Sequence, residues 1–173
     1  LSEFNFSRAA GEYLLFIGRP TARKGLAIVQ EITNKCGLPV KIAGQPGADI
    51  QGAEYVGIVH GEAKKELFAG AIATLVPTIY FEPFGGVAVE SMLSVTPAIT
   101  TDWGAFPETV RNGVSGFRCN TLADFLRAVD DAPYLNRGTV RAFAEARFST
   151  VVGAEKYDAW LNRVASLNGA GWY

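Results

Sequence analysis

Short apolar runs alternate along this chain with segments of helical spacing, and this alternation limits the possible folds more than any other feature. Tyr13–Ile17 and Val40–Ala43 are apolar on nearly every residue, and each stops at a glycine. Such runs are typical of strands that are buried on both faces of a sheet. Strands that alternate with helices predict an α/β fold: a Rossmann-like, mostly parallel six-stranded sheet with helices on both faces.

The same reading gives bounds for each element. The predicted strands are residues 13–17, 40–43, 55–59, 73–76, 98–100 and 116–119. The predicted helices are residues 24–36, 62–71, 86–94, a short one within 105–112, then 121–130, 137–146 and 150–167. We expect residues 45–54 to form a loop. Ligands of such folds bind beyond the carboxyl ends of the strands, so the segments that follow the strands are the candidate site.

Size and charge narrow the class of protein. The 173 residues match one α/β domain, and 49% of them are hydrophobic, which is enough for a real core. Sixteen basic and seventeen acidic residues nearly cancel, which argues against a nucleic-acid-binding surface. The apolar run of residues 67–81 is interrupted by Pro77 and falls short of the roughly 20 residues of a membrane span. We divide the chain into a linker (1–12), one domain (13–168) and a tail (169–173).

The first candidate segment, residues 18–25, lies between the first strand and the first helix. It carries Arg19 and Lys24, and it has the spacing of neither a dinucleotide fingerprint nor a P-loop. Arg19 could hold a diphosphate with two parallel hydrogen bonds, and Lys24 could act as a point charge. A solvated basic turn is an equal alternative from these residues alone.

The second candidate segment, residues 77–90, follows the fourth strand. Gly85 and Gly86 lead into a helix whose N-terminal amides suit a phosphate or a sugar hydroxyl. Glu82 precedes this turn and Glu90 lies within the helix, in apolar surroundings. One carboxylate could bind sugar hydroxyls and the other a ribose. The alternatives are a helix-capping anion, a surface charge, or the paired carboxylates of a glycosidase.

Together these motifs resemble a known family. The segment from Glu82 to Glu90, the upstream GRP and KG motifs, and residues 100–117 are similar to the C-terminal nucleotide-sugar-binding domain of retaining GT-B-fold glycosyltransferases (group 1, family 4-like). The resemblance extends over roughly residues 13–165. It implies that this chain is one half of a GT-B fold, and we expect an acceptor-binding N-terminal domain to lie outside this sequence.

The resemblance also implies roles for individual residues. Glu82 corresponds to the catalytic carboxylate that contacts the donor sugar, and Glu90 to the carboxylate that binds the ribose. The other implied contacts are Arg19, Lys24, Gly85, Gly86 and Val87 for the donor diphosphate, Phe84 and Gly85 for the donor sugar, and Val59 and His60 for the edge of the base pocket. The resemblance implies no bound metal ion and no cofactor besides the nucleotide-sugar co-substrate.

The implied activity is transfer of a hexose from a UDP-, GDP- or ADP-sugar to a sugar or lipid acceptor, with retained configuration. We expect the chain alone to be inactive without the acceptor-binding domain, which would also make any membrane contact of an otherwise cytoplasmic protein. Two alternatives stay open: a sugar-nucleotide epimerase of the same fold, and a non-catalytic nucleotide-sugar-binding subunit. His60, the single histidine, could line the pocket or, less consistently with the family, act as a base.

One segment departs from the family pattern. The Gly-Gly pair that often follows the fifth strand is replaced here by residues 103–106, Trp-Gly-Ala-Phe. The resemblance therefore implies no specific ligand contact for this loop. We expect Tyr157 and Trp160 of the last predicted helix to serve in packing, for which the other domain is one partner, rather than to bind sugar.

Overall fold

The computed structural model describes residues 11–47 and 49–167. Its sheet has six strands, all parallel, in the order β3-β2-β1-β4-β5-β6. The strands are β1 (Tyr13–Ile17), β2 (Val40–Ala43), β3 (Glu54–Gly57), β4 (Ala71–Val76), β5 (Ala98–Thr101) and β6 (Gly116–Cys119). The predicted six-stranded Rossmann-like sheet is confirmed. Most of the predicted linker and all of the predicted tail lie outside the described residues.

Within residues 11–47 and 49–167, seven α-helices connect or follow the strands. They are α1 (Leu26–Lys35), α2 (Gly61–Ala69), α3 (Gly86–Leu93), the short α4 (Phe106–Thr109), α5 (Leu122–Asp131), α6 (Arg137–Phe148) and α7 (Thr150–Leu167). Single 3₁₀ turns at Ala22–Lys24 and Ala132–Tyr134 precede α1 and α6. None of these described helices is both long and apolar enough to cross a membrane.

The two faces of the sheet bury separate apolar clusters. Leu14 and Phe16 of β1 pack with side chains of α1 and α5, whereas Leu15, between them, packs on the opposite face with Phe68 at the end of α2. Helices α3 and α6 cover that opposite face further along the sheet, around the fully buried Met92. Because successive strand residues point to opposite faces, a continuous apolar run places apolar side chains on both faces of the sheet. Helices cover both faces, as these runs predicted.

Two glycines set boundaries that differ from the predicted ones. Gly25, at φ +79°, separates the 3₁₀ turn from α1, which divides the single helix predicted for residues 24–36. Gly57, at φ +81°, ends β3 two residues before the predicted end. Both backbones lie in the left-handed region, so α1 does not extend back through Gly25 and β3 does not continue beyond Gly57. Val59 and His60 therefore belong to the turn before α2.

The strand order defines where a crevice forms. Successive strands add outward from β1 towards β3 on one side, and from β4 towards β6 on the other. The connections therefore diverge between β1 and β4, and the carboxyl ends of these two strands form the topological switch point of the sheet. The two candidate segments follow these two strands.

Candidate functional site

The loops after β1 and β4 meet at the switch point and are joined directly. The backbone N–H of Ile79 donates to the carbonyl oxygen of Arg23 over 2.9 Å. Gly25 approaches the β4 loop so closely that a Cβ atom there would lie 1.9 Å from the carbonyl oxygen of Pro77. Only a glycine fits this contact and this φ of +79°, so residue 25 is part of what brings the two segments together.

Three side chains from these loops form one hydrogen-bonded group, which we call the Lys24–Tyr80–Glu82 cluster. The Lys24 ammonium donates to Tyr80 Oη over 2.6 Å and to Glu82 Oε2 over 2.9 Å. The Tyr80 hydroxyl donates to the same Glu82 oxygen over 2.8 Å. The sequence predicted Lys24 and Glu82 as site residues, and the structure brings them into contact. Tyr80 was missed, and its position two residues before Glu82 was the one available signal.

The cluster favours the charged forms of both ionisable partners. Partial burial acts to raise the pKa of the Glu82 carboxyl, but hydrogen bonds from Lys24 and Tyr80, the charge of Lys24 and the nearby Gly85 amide outweigh it, and the pKa lies below its usual value. Partial burial acts to lower the pKa of the Lys24 ammonium, but its hydrogen bonds to Glu82 and Tyr80 outweigh this and raise the pKa. At neutral pH the site therefore holds a fixed cation beside a fixed carboxylate.

Helix α3 begins at this cluster. Gly85 is its N-cap, at φ +80°, and a Cβ atom there would lie 2.7 Å from the ring of the buried Phe106. A Cβ atom at Gly86 would meet nothing within 4 Å, so this residue is open on the side where a ligand could approach. The first amides of a helix lack partners within it and favour anions. The start of α3, from Gly85 to Val87, is thus a suitable place for phosphate oxygens.

The second carboxylate lies on α3 itself. Both oxygens of Glu90 are 2.9 Å from the Nζ atom of Lys64, which projects from α2. The side chains of Lys64 and Glu90 remain 32% and 37% exposed. Glu90 is therefore reachable by a ligand, but it is already paired with a cation that the sequence did not predict.

The remaining predicted contacts are placed less tightly. Arg19 is exposed on the loop after β1, and His60 is the exposed N-cap residue of α2. The Phe84 ring packs edge to face on Phe148, with 6.1 Å between ring centroids. Phe84 remains 51% exposed, so both its ring and its backbone are open to a sugar contact.

The loop after β5, which departs from the family pattern, supports the loop after β4. The indole N–H of Trp103 donates to the Thr78 carbonyl oxygen over 3.1 Å. The Ala105 amide donates to the Glu82 carbonyl oxygen over 2.8 Å, and a Cβ atom at Gly104 would lie 2.5 Å from the Glu82 nitrogen. Residues 103–105 thus fix the backbone of Glu82, a role that the sequence did not reveal.

The chain also matches a family of known proteins. The model described as glycosyl transferases group 1 matches residues 11–132, more than two-thirds of the chain. An uncharacterized glycosyltransferase of Methanocaldococcus jannaschii is 29% identical over 136 residues, which are 66% of this chain and 34% of that protein. The phosphatidyl-myo-inositol mannosyltransferase of Mycobacterium leprae is 29% identical over 156 residues, 79% of this chain and 42% of that protein.

Solved structures show the same fold. The structure of Anabaena HepE in complex with UDP-glucose superimposes with a TM-score of 0.74 at 19% identity, and the match covers 88% of this chain and 49% of HepE. The chain thus spans about half the length of such a structure, and less than half of the curated relatives it matches.

Proposed function

This chain belongs to the group 1 glycosyl transferases, and we propose that it is the nucleotide-sugar-binding half of a two-domain glycosyltransferase. The enzyme would transfer a hexose from a nucleoside diphosphate sugar to a sugar or lipid acceptor. A second domain would bind the acceptor and close the cleft. The observation that carries this proposal is the Lys24–Tyr80–Glu82 cluster at the switch point of the sheet.

The diphosphate is assigned to Lys24, Arg19 and the start of α3. An ammonium has three N–H donors, and Lys24 uses two of them within the cluster, so one remains for a phosphate oxygen. Arg19 is exposed next to Gly18, the residue that follows β1, and its planar guanidinium could hold two phosphate oxygens there. The amides from Gly85 to Val87 complete an anion site with the positive end of the helix dipole.

The sugar and the nucleoside are assigned to opposite sides of the diphosphate. Glu82, beside Lys24, is the proposed contact for hydroxyls of the donor hexose, together with the backbone at Phe84 and Gly85. Glu90 is the proposed ribose contact, and Val59 and His60 are the proposed edge of the base pocket. The proposed sugar contacts thus lie just before and at the start of α3, and the proposed ribose contact lies one turn further along α3. There Glu90 contacts Lys64 of α2.

The proposed chemistry is transfer with retained configuration and without a metal ion. As the sugar–phosphate bond breaks, negative charge grows on the diphosphate. Lys24, Arg19 and the α3 amides would stabilise that charge, which is the main contribution a fixed polar site makes to such a step. The relatives are consistent with a hexose donor: one is a mannosyltransferase and the solved neighbour contains UDP-glucose. Two free cysteines suit the proposed cytoplasmic location.

Calorimetry with UDP and uridine, repeated with the guanosine and adenosine pairs, tests the assignment. We expect Lys24→Ala to weaken diphosphate binding about tenfold, as the loss of one charge-assisted hydrogen bond predicts, and to leave nucleoside binding within about twofold. Glu90→Ala should weaken binding of both the nucleoside diphosphate and the nucleoside, because both contain the ribose. Lys35→Ala is the matched control, since its partner Glu31 lies in an exposed pair near the far end of α1. Equal losses of UDP and uridine affinity in Lys24→Ala would contradict the phosphate assignment.

A further inference from the structure

The Tyr80 hydroxyl lies between Lys24 and Glu82, which the proposed function assigns to different parts of the donor. It accepts a hydrogen bond from Lys24, the proposed diphosphate contact, and donates one to Glu82, the proposed sugar contact. The Lys24 ammonium also lies 4.8 Å from the centroid of the Tyr80 ring. Tyr80 is partly buried, and its loop is fixed by the β5 loop through the Thr78 carbonyl oxygen. The phenol therefore sits in a defined place between the two contacts.

Without a ligand, the Lys24 ammonium compensates the charge of the Glu82 carboxylate. Its ammonium and the Tyr80 hydroxyl both donate to Oε2 of that carboxylate, and the nearby Gly85 amide also favours the charged form of the carboxyl. The side chains of Lys24 and Glu82 are only 23% and 13% exposed, so water can replace a lost partner only in part. A carboxylate in such a place is sensitive to the loss of any donor.

An incoming diphosphate would compete with Glu82 for the same ammonium. It carries more negative charge than one carboxylate, so Lys24 would shift towards it, and Glu82 would lose part of its charge compensation. A bare nucleoside diphosphate has no sugar hydroxyl that could donate to the Glu82 carboxylate in place of Lys24. A nucleotide sugar brings hydroxyls that can donate to the carboxylate, provided that the carboxylate keeps its orientation. The Tyr80 hydroxyl is the side-chain donor of the cluster that would still hold it.

We propose that Tyr80 is a positioning residue that lets this site favour a nucleotide sugar over the corresponding bare nucleoside diphosphate. It does so by holding the Glu82 carboxylate in place when Lys24 turns to the diphosphate. This inference rests on the proposed function, because it assigns the sugar to Glu82. It adds a role that neither the family motif nor the sequence pattern assigns to residue 80.

The test is Tyr80→Phe, which keeps the ring over Lys24 and removes the hydroxyl. Calorimetry would give dissociation constants for UDP and UDP-glucose, GDP and GDP-mannose, and ADP and ADP-glucose. In the pair that binds, we expect the ratio of nucleoside diphosphate to nucleotide-sugar dissociation constants to fall about three- to tenfold, the range for one hydrogen bond to a charged group. Affinity for the bare diphosphate should stay within about twofold or rise, because Lys24 loses a competing partner.

Tyr134→Phe is the matched control. Tyr134 is 87% exposed in the 3₁₀ turn before α6, so the same change of side chain there should leave the ratio unaltered. A urea melt of each variant checks that it is folded. Glu82→Gln provides a second variant: it should lower the ratio as well, and adding Tyr80→Phe to it should cause little further loss, because both act through one carboxylate.

The pH dependence of the ratio gives a readout that a merely structural role would not move. Glu82 faces Lys24 and Tyr80, and loss of one donor should shift the acid limb of nucleotide-sugar binding to higher pH. Three results would each overturn the inference. They are an equal loss of affinity for the nucleoside diphosphate and the nucleotide sugar in Tyr80→Phe, an unchanged ratio of their dissociation constants, and additive losses of nucleotide-sugar affinity in the double variant. If the wild-type chain binds none of the six nucleotides, the proposed function fails instead, and the two failures are thus distinct.

Discussion

Two lysine–glutamate pairs lie at the same edge of the molecule and differ in how they are built. Lys24–Glu82 and Lys64–Glu90 both have a nitrogen–oxygen distance of 2.9 Å, and their glutamates are eight positions apart. The Glu82 side chain is 13% exposed and the Glu90 side chain 37%. The first pair joins the loops after two central strands, whereas the second joins the surfaces of two helices.

The difference shows that an ion-pair distance does not by itself measure how firmly a carboxylate is held. Glu82 has a second side-chain donor in Tyr80, and its backbone is fixed by residues 104 and 105. The Glu90 side chain is part-exposed on α3, so water can replace more of what its partner provides than at Glu82. We expect the first pair to be part of the fold as well as of the site, and the second to be free to exchange Lys64 for a ligand.

The largest expected effect comes from separating the loops that carry the first pair. Gly25→Ala would place a Cβ atom 1.9 Å from the Pro77 carbonyl oxygen, at a φ of +79°. We expect it to lower the free energy of unfolding by about 2–4 kcal/mol, through overpacking and backbone strain together. Urea denaturation monitored by circular dichroism would measure the change.

Gly86→Ala is the control from the helix that carries Glu90. A Cβ atom there meets nothing within 4 Å, and the residue is the first of α3. Its free energy of unfolding should stay within about 1 kcal/mol of the wild type, since alanine favours helix. If the two variants were equally stable, the loops after β1 and β4 would not be in contact as described.

These two glycines also show what the sequence could and could not reveal. Residues 85 and 86 could be recognised as the start of a helix from the local pattern alone. The requirement for glycine at residue 25 could not, because it arises from a contact with Pro77, which lies 52 positions away. Strands β1, β2 and β4 were also predictable from the local pattern, because each is a mostly apolar run. β3 is not such a run, and its predicted end lay two residues too far along the chain.

The candidate site divides in the same way. Lys24, Glu82 and Glu90 were assigned through motifs, whereas their partners Tyr80 and Lys64 were not. Lys24 and Tyr80 are 56 positions apart and meet only because β1 and β4 are neighbours in the sheet. The support of Glu82 by residues 103–105 likewise depends on the pairing of β4 with β5, and no local pattern encodes it.

The next effect in size comes from removing each lysine. Methionine keeps most of the aliphatic stem of lysine and loses the charge. Lys24→Met should lower the free energy of unfolding by about 1–2 kcal/mol, because it leaves the mostly buried Glu82 carboxylate without its cation. Lys64→Met should cost less than about 1 kcal/mol, as is usual for an exposed pair.

The origin of the difference can be checked by combining variants. Glu82→Gln added to Lys24→Met should recover part of the lost stability, since it removes the uncompensated charge. Glu90→Gln added to Lys64→Met should recover little. Equal costs for the two lysines, measured by urea denaturation in the same buffer, would show that the cluster around Glu82 adds nothing to the pair itself.

The smallest expected effect is the pH dependence that the first pair gives to stability. The pKa of Glu82 is lower in the folded chain than its ordinary value of 4.5, so its contribution is complete above that value and is lost as the pH falls through the folded pKa. The pKa of Lys24 is raised above 10.5, so its contribution is lost only as the pH rises beyond that value.

The wild type should therefore exceed Glu82→Gln in stability by a constant amount between roughly pH 5 and 10. Below this window the difference should shrink by less than about 1 kcal/mol. In a Lys24→Met background the shrinkage should be smaller, because one donor that lowers the pKa is absent. Urea denaturation across this range would measure both, and a difference that grows towards acid pH would reverse the assigned direction of the Glu82 shift.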